Sequence, residues 1–187
     1  MATDPHQRLT IREYLAFERQ AETRNDYLDG EVFAMTGASR IHNLIAGNFF
    51  REIGNQLRQR PCEAYMEAMR VRTPAGLFTY PDVVVVCGEP RFDDTHFDTL
   101  LNPTLLVEVL SPSTEAYDRR TKSDHYRSIP SLAEMVLVAQ DHPRVEHSSR
   151  QGNEWRRNDL TSLEDLLEMP AIGCRLLLGD LYERVFE

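Results

Sequence analysis

PTLLVEVLSPSTEAYDRRTKSDHY, residues 103–126, is the stretch that decides the fold. Within it PTLLVEVLSP (103–112) reads as a strand, apolar through its middle except for Glu108 and closed by Pro112. Ser113 and Thr114 offer an N-cap, and residues 113–129 read as a helix. A third piece follows, LAEMVLVAQ (132–140), again apolar and again a strand. Upstream, YPDVVVVCG (80–88) carries four consecutive valines, the mark of a strand buried on both faces.

Further out, SRIHNLIAGNFFREIGNQLRQ (39–59) places Ile41, Leu44, Ile45, Phe49, Ile53 and Leu57 at helical spacing, with Ser39 as N-cap and Pro61 beyond the end. DYLDGEVFAMT (26–36) holds the Asp29-Gly30 turn signal, with Val32, Ala34 and Thr36 alternating against Phe33 and Met35 as a strand. Residues 9–22 form a short amphipathic helix. Residues 62–73 fit strand or helix, and Pro74-Ala75-Gly76 favours a hairpin strand; 88–102 reads as a polar loop. Beyond 140 come a polar hairpin around Gln151-Gly152-Asn153, a helical turn at 161–169 and a short helix at 179–187. The succession indicates one α/β domain with a central mixed sheet flanked by helices. Its core spans about 10–140, and the hairpin and C-terminal elements fill 141–187.

The 187 residues are 41% hydrophobic and 27% charged, which suits a folded globular chain. No apolar stretch approaches a membrane span, the start MATDPHQRLT lacks a signal-peptide pattern, and Cys62, Cys87 and Cys174 suit reduced thiols. A cytoplasmic location is therefore expected. The net charge of −9 disfavours broad nucleic-acid binding, but the excess of carboxylates is local: residues 61–110 hold eight acidic against three basic groups. That is what a divalent-cation site needs. The histidines show no HxxH or HExxH spacing, so zinc is not expected. Trp155 with Arg150, Arg156 and Arg157 is either a nucleic-acid contact or a hairpin surface with one packed aromatic.

Two carboxylates stand out. Asp82 opens the valine run and either caps a turn or binds a ligand; Glu108 lies inside an apolar strand, where a charge must be paired or metal-bound. On neighbouring strands the two could converge on Mg²⁺ or Mn²⁺, both of which favour oxygen ligands. Lys122 is the chain's one lysine, and it shares a helical stripe with Asp118 and Tyr126. A lysine beside such an ion can stabilise an oxyanion or position water; otherwise it forms a surface pair with Asp118.

PDVVVV (81–86), LLVEVLSPST (105–114), Asp118, Lys122 and Tyr126, together with YLDGEVFAM (27–35) and His42 at the head of a helix, resemble the Uma-two family of restriction-type endonucleases with the PD-(D/E)XK fold. The resemblance implies a helix–strand–strand–strand–helix–strand core, a Mg²⁺ or Mn²⁺ phosphodiesterase site and DNA as substrate. It makes Asp82 and Glu108 metal ligands with the Val109 carbonyl as a third, Glu31 an extra acid, Lys122 the catalytic lysine, and His42 and Asp118 auxiliaries. The position two after Glu108, where the superfamily's lysine sits, is Leu110, so the lysine has moved to the next helix. The family's Tyr-Glu-Leu is matched to Tyr27-Leu28, which leaves its glutamate without a counterpart. A homodimer is expected on symmetry grounds. The rival readings are an inactive nucleic-acid-binding or assembly module on the same fold, and a metal-dependent phosphoesterase of small molecules.

Overall fold

The computed structural model describes residues 8–35 and 37–187. Along the chain run α1 (Ile11–Glu18), β1 (Asn25–Leu28), β2 (Glu31–Ala34), α2 (Arg40–Leu57), β3 (Cys62–Met66), β4 (Arg70–Arg72), β5 (Phe78–Thr79), β6 (Val83–Cys87), β7 (Thr99–Leu100) and β8 (Leu105–Leu110). Then come α3 (Glu115–Tyr117), a π-turn (Asp118–Lys122), α4 (Ser123–Arg127), β9 (Glu134–Ala139), β10 (Val145–Gln151), β11 (Glu154–Leu160), β12 (Leu166–Met169), β13 (Cys174–Leu177) and α5 (Leu178–Leu181).

The central sheet has six strands in the order β11-β10-β9-β8-β6-β3, mixed in direction, with β8 and β9 parallel and the rest antiparallel. Its centre is α2–β3–β6–β8–helix–β9, the expected core. Both faces of β6 and β8 are covered, which is why their residues are apolar without alternation. One face (Val83, Val85, Val107, Val109, Val136, Val138) packs on Ile45, Phe49, Ile53 and Leu57 of α2 and on the β12–β13 hairpin. The other (Val84, Val86, Leu106, Met135) packs on Tyr126, Ile129 and Leu132. A second sheet, ordered β2-β1-β5-β4-β7, forms a satellite layer whose core is Tyr14, Tyr27 and Phe78, with α1 docked on it.

Local signals explain most boundaries. The Ser39 hydroxyl accepts the His42 N–H (3.1 Å) and starts α2. Asp29 and Gly30 both take positive φ (50° and 92°), the conformation an Asp-Gly hairpin turn requires. The strand expected to reach Thr36 is seen to Ala34, and Thr36 itself lies outside the described residues, as does most of the 1–10 segment searched for a leader.

Elsewhere the structure departs from expectation. The 62–73 segment is two strands in different sheets, β3 and β4, split by a bend at Glu67 with φ 55°. The loop 88–102 contains β7, which pairs parallel with β4. Residues 161–169 end in a strand, β12, instead of a helical turn. The Asp165 carboxylate collects the N–H groups of Thr161 and Ser162 (2.8 and 2.9 Å) in a turn, and from Leu166 the burial alternates. The expectation of three reduced thiols fails, because the β3–β6 register sets Cys62 directly opposite Cys87 and the two form a disulfide. A separation of 25 residues hid that pairing, and Cys174 alone stays a free, buried thiol. Among the described residues no helix is long and apolar enough to cross a membrane.

Candidate active site

Strands β6 and β8 run antiparallel with Val83 opposite Val107. Asp82, one residue before Val83, and Glu108, one after Val107, therefore arrive at the same end of the pair. Strand alternation turns both toward the face of Val84, Val86 and Leu106, under the helical segment 115–127. Asp82 is 8% exposed and Glu108 4%. The Val109 N–H donates to Asp82 Oδ2 (2.6 Å), and Pro81, across from Val109, has no N–H to offer the Val109 carbonyl. A strand residue's N–H and C=O point to the same side, so the Val109 carbonyl faces that edge too.

Lys122 reaches this carboxylate pair from the π-turn. Its Nζ lies 3.0 Å from Glu108 Oε1 and 3.6 Å from Asp118 Oδ1, and all three side chains are buried. The Tyr126 hydroxyl donates to the same oxygen of Glu108. The stripe of residues 118, 122 and 126 is thus realised, but through a wider turn than an α-helix provides. The Ser123 N–H and hydroxyl both bond the Asp118 carbonyl (2.6 Å for the hydroxyl), which locks that turn. Such π-turns recur at functional sites.

Electrostatics follow from burial. Desolvation pushes the Glu108 carboxyl above the usual carboxylate range, with Asp82 and Asp118 adding repulsion, while the Lys122 ammonium pulls it back and favours the carboxylate. Burial works against the Lys122 charge, yet the carboxylates of Glu108, Asp26 and Asp118 outweigh it and raise its pKa, so the ammonium is kept. At the head of α2, His42 Nε2 lies 3.2 Å from Asp82 Oδ2. Burial opposes an imidazolium there, but Asp82 prevails and raises the His42 pKa.

Of the residues singled out from sequence, Asp82, Glu108, Val109, Lys122, Asp118 and His42 come together. Glu31 does not. It is exposed at the start of β2 and lies 3.6 Å from Arg8. The acid that β1 brings to the cluster is Asp26, 7% exposed, whose charge acts on Lys122 and whose own pKa is raised by burial. Matching the family's Tyr-Glu-Leu to Tyr27-Leu28 passes over it, although the family's segment runs Tyr-Glu-Leu-x-Asp-Gly-Glu. Counting back from Asp29-Gly30-Glu31 sets Asp26 at the glutamate's place. Glu18 is a useful contrast, since that buried acid accepts from Asn25 N–H, Asn25 Nδ2 and the Tyr80 hydroxyl and is fully engaged.

Six buried side-chain polar atoms lack a hydrogen bond of good geometry among the described residues, and four of them belong to this neighbourhood: His42 Nδ1 and the Tyr117 hydroxyl, and Asp26 Oδ1 and Thr79 Oγ1, whose side chains lie close enough to interact with each other. Native interiors rarely tolerate that outside sites that receive water or ligand. The bonds described use Oδ2 of Asp82 and Oε1 of Glu108, which leaves the other oxygen of each for a cation. Among the described residues no three His, Cys, Asp or Glu side chains converge as a ready cage. Two carboxylates and a carbonyl are instead the sparse, all-oxygen donor set that suits Mg²⁺ or Mn²⁺, which retain water. Arg150 and Trp155 lie elsewhere: Arg150 stacks over the indole (4.7 Å) and donates to the carbonyls of Arg127, Ile129 and Leu132, so that pair packs the hairpin.

A crystal structure titled as a putative nuclease belonging to DUF820, from Anabaena variabilis, superposes with a TM-score of 0.76 at 18% identity, covering 95% of this chain and 99% of the other. At that identity the likeness is one of fold, a mixed α/β core with a central sheet flanked by helices. Two Synechocystis sp. proteins, both named as uncharacterized, are similar in sequence. Protein sll1609 is 36% identical over 154 residues (81% of this chain, 87% of the relative), and slr1290 is 33% identical over 181 (95% and 93%). With a model match over residues 11–178, the chain belongs to the Uma2 family, described as "Putative restriction endonuclease".

Proposed function

We propose that the protein is an endonuclease that hydrolyses DNA phosphodiester bonds with Mg²⁺ or Mn²⁺. The observation that carries this reading is the buried constellation of Asp82, Glu108 and Lys122 at one sheet end, ringed by unpartnered polar atoms. Asp82, Glu108 and the Val109 carbonyl would hold the cation. When bound, such an ion supplies Lewis acidity toward a phosphoryl oxygen and lowers the pKa of coordinated water. Lys122, kept protonated by its carboxylates, offers a fixed positive charge to the negative charge that develops on the phosphoryl group. Asp26 and His42 flank the pair, and both can hold a proton or orient water. Cleavage of both strands suits a homodimer. The cytoplasmic location inferred from three reduced thiols loses that support in the Cys62–Cys87 bond.

Nicking of supercoiled plasmid with Mn²⁺ tests the proposal, with Lys122→Ala and Glu108→Ala as controls. Wild-type nicking that both variants lose is the expected result. Activity that survives in both variants removes the assignment of the site. A wild type that binds Mn²⁺ yet cuts nothing favours the binding module, and one that cleaves nucleotide monoesters but not plasmid favours the small-molecule reading.

A further inference from the structure

Glu146 lies in the same row of the central sheet as Glu108. Glu108 is opposite Leu137, Leu137 is opposite Glu146, and Glu146 is opposite Asp159. Cross-strand partners share a face, so Glu108 and Glu146 both point under the helical segment 115–127, two strands or roughly 9.5 Å apart. Glu146 is 3% exposed and is gripped by arginines: Arg119 on Oε1, Arg157 on Oε2 (2.9 Å) and Arg144 at 3.4 Å from Oε1. Only Arg119 comes from the helical segment, and it sits inside the same π-turn as Lys122. One wide turn therefore grounds two cations, three residues apart, on two buried carboxylates of one sheet row.

We infer that Glu146, acting through Arg119, is a positioning residue that sets the register of the π-turn and so places Lys122 on Glu108. The inference rests on Lys122 belonging to the nuclease site. Arg119 is also held by Glu115 (2.7 Å), one helical turn back, so its fork spans helix and sheet at once. The Ser123 bonds to Asp118 fix the shape of the turn but not its position over the sheet. Tyr126 anchors the segment downstream on Glu108, and the Arg119–Glu146 contact ties the turn itself to the sheet, so that Lys122 follows from it.

Because Lys122 is the chain's one lysine, ¹³C-lysine labelling yields one side-chain signal set in the NMR spectrum. The test compares that signal in metal-free wild type, Glu146→Gln, Arg119→Gln and Arg157→Gln, with circular dichroism to establish folding. In Arg119→Gln and Glu146→Gln the Lys122 resonance should move toward that of a solvent-exposed lysine. Arg157→Gln, which touches Glu146 from β11 and not from the turn, should leave the resonance in place. In plasmid nicking the first two variants should lose about 100-fold in kcat with KM nearly unchanged, as misplacement of a catalytic group by about 1 Å does. An unmoved resonance in folded Arg119→Gln overturns the inference. An equal shift in Arg157→Gln does so too, because it would make Glu146 a general clamp. If Glu146→Gln fails to fold, Arg119→Gln alone decides. The spectroscopic result stands even if no nuclease activity is found, so the two proposals fail separately.

Discussion

At the scale of single residues, the site is a problem of buried charge. Glu108 and Lys122 are each about 5% exposed, and neither would tolerate that position alone. Removing one member of such a pair strands the other, so Lys122→Met should destabilise the fold by about 3–5 kcal/mol in urea titrations. Lys122→Arg should keep most of that stability, yet nicking should fall by about 100-fold or more, because a planar guanidinium cannot occupy the place of a compact ammonium 3.0 Å from Glu108. The sequence made Asp82, Glu108 and Lys122 legible because each breaks its surroundings: a carboxylate at the head of a valine run, another inside an apolar strand, and a lone lysine. Asp26 was not legible in that way. It sits in the mixed stretch Asn25–Leu28, where an acid breaks no pattern, and its burial arises from the docking of the second sheet.

At the scale of elements, one shared carboxylate adds to the ties between the second sheet and α1. Asp98, just before β7, accepts from Arg19 Nε (2.8 Å), at the end of α1, and from Arg70 of β4 (2.9 Å). Burial works against the Asp98 charge, but the two guanidinium groups prevail and hold its carboxyl at about 2. A carboxylate depressed in the folded state stabilises the protein fully above its unfolded value near 3.9, and that contribution disappears as pH falls through about 2. Asp98→Asn should therefore lower Tm at pH 7, and the gap to wild type should close between about pH 4 and pH 2 in thermal scans. The elements that periodicity revealed are those with long, one-sided patterns, such as α2, or unbroken apolar ones, such as β6, β8 and β9. β7 has two residues and β12 four, too few for a period to register, and both exist because a partner strand is already in place. The π-turn was equally hidden, since its residues at 118–122 are ordinary helix formers and only tertiary bonds select the wider turn.

At the scale of the whole molecule, β3 is an edge strand of the central sheet, and the Cys62–Cys87 bond fastens it to β6. Closing a loop of 25 residues restricts the unfolded chain, and its loss should cost about 3 kcal/mol. Cys62→Ser, or wild type kept in dithiothreitol, should unfold at a lower urea midpoint than the oxidised protein. The candidate site lies at the far end of β6 from Cys87, so plasmid nicking in the reduced protein should persist. The burial of Lys122 has a consequence for the surface at large. All other cationic side chains besides histidine are arginines, so the folded protein presents no lysine amine to an acylating reagent among its described residues. Acylation of Lys122 must wait until the helical segment lifts from the sheet. The rate at which mass is added at Lys122 is then a clock for the opening of the site, read from a single atom.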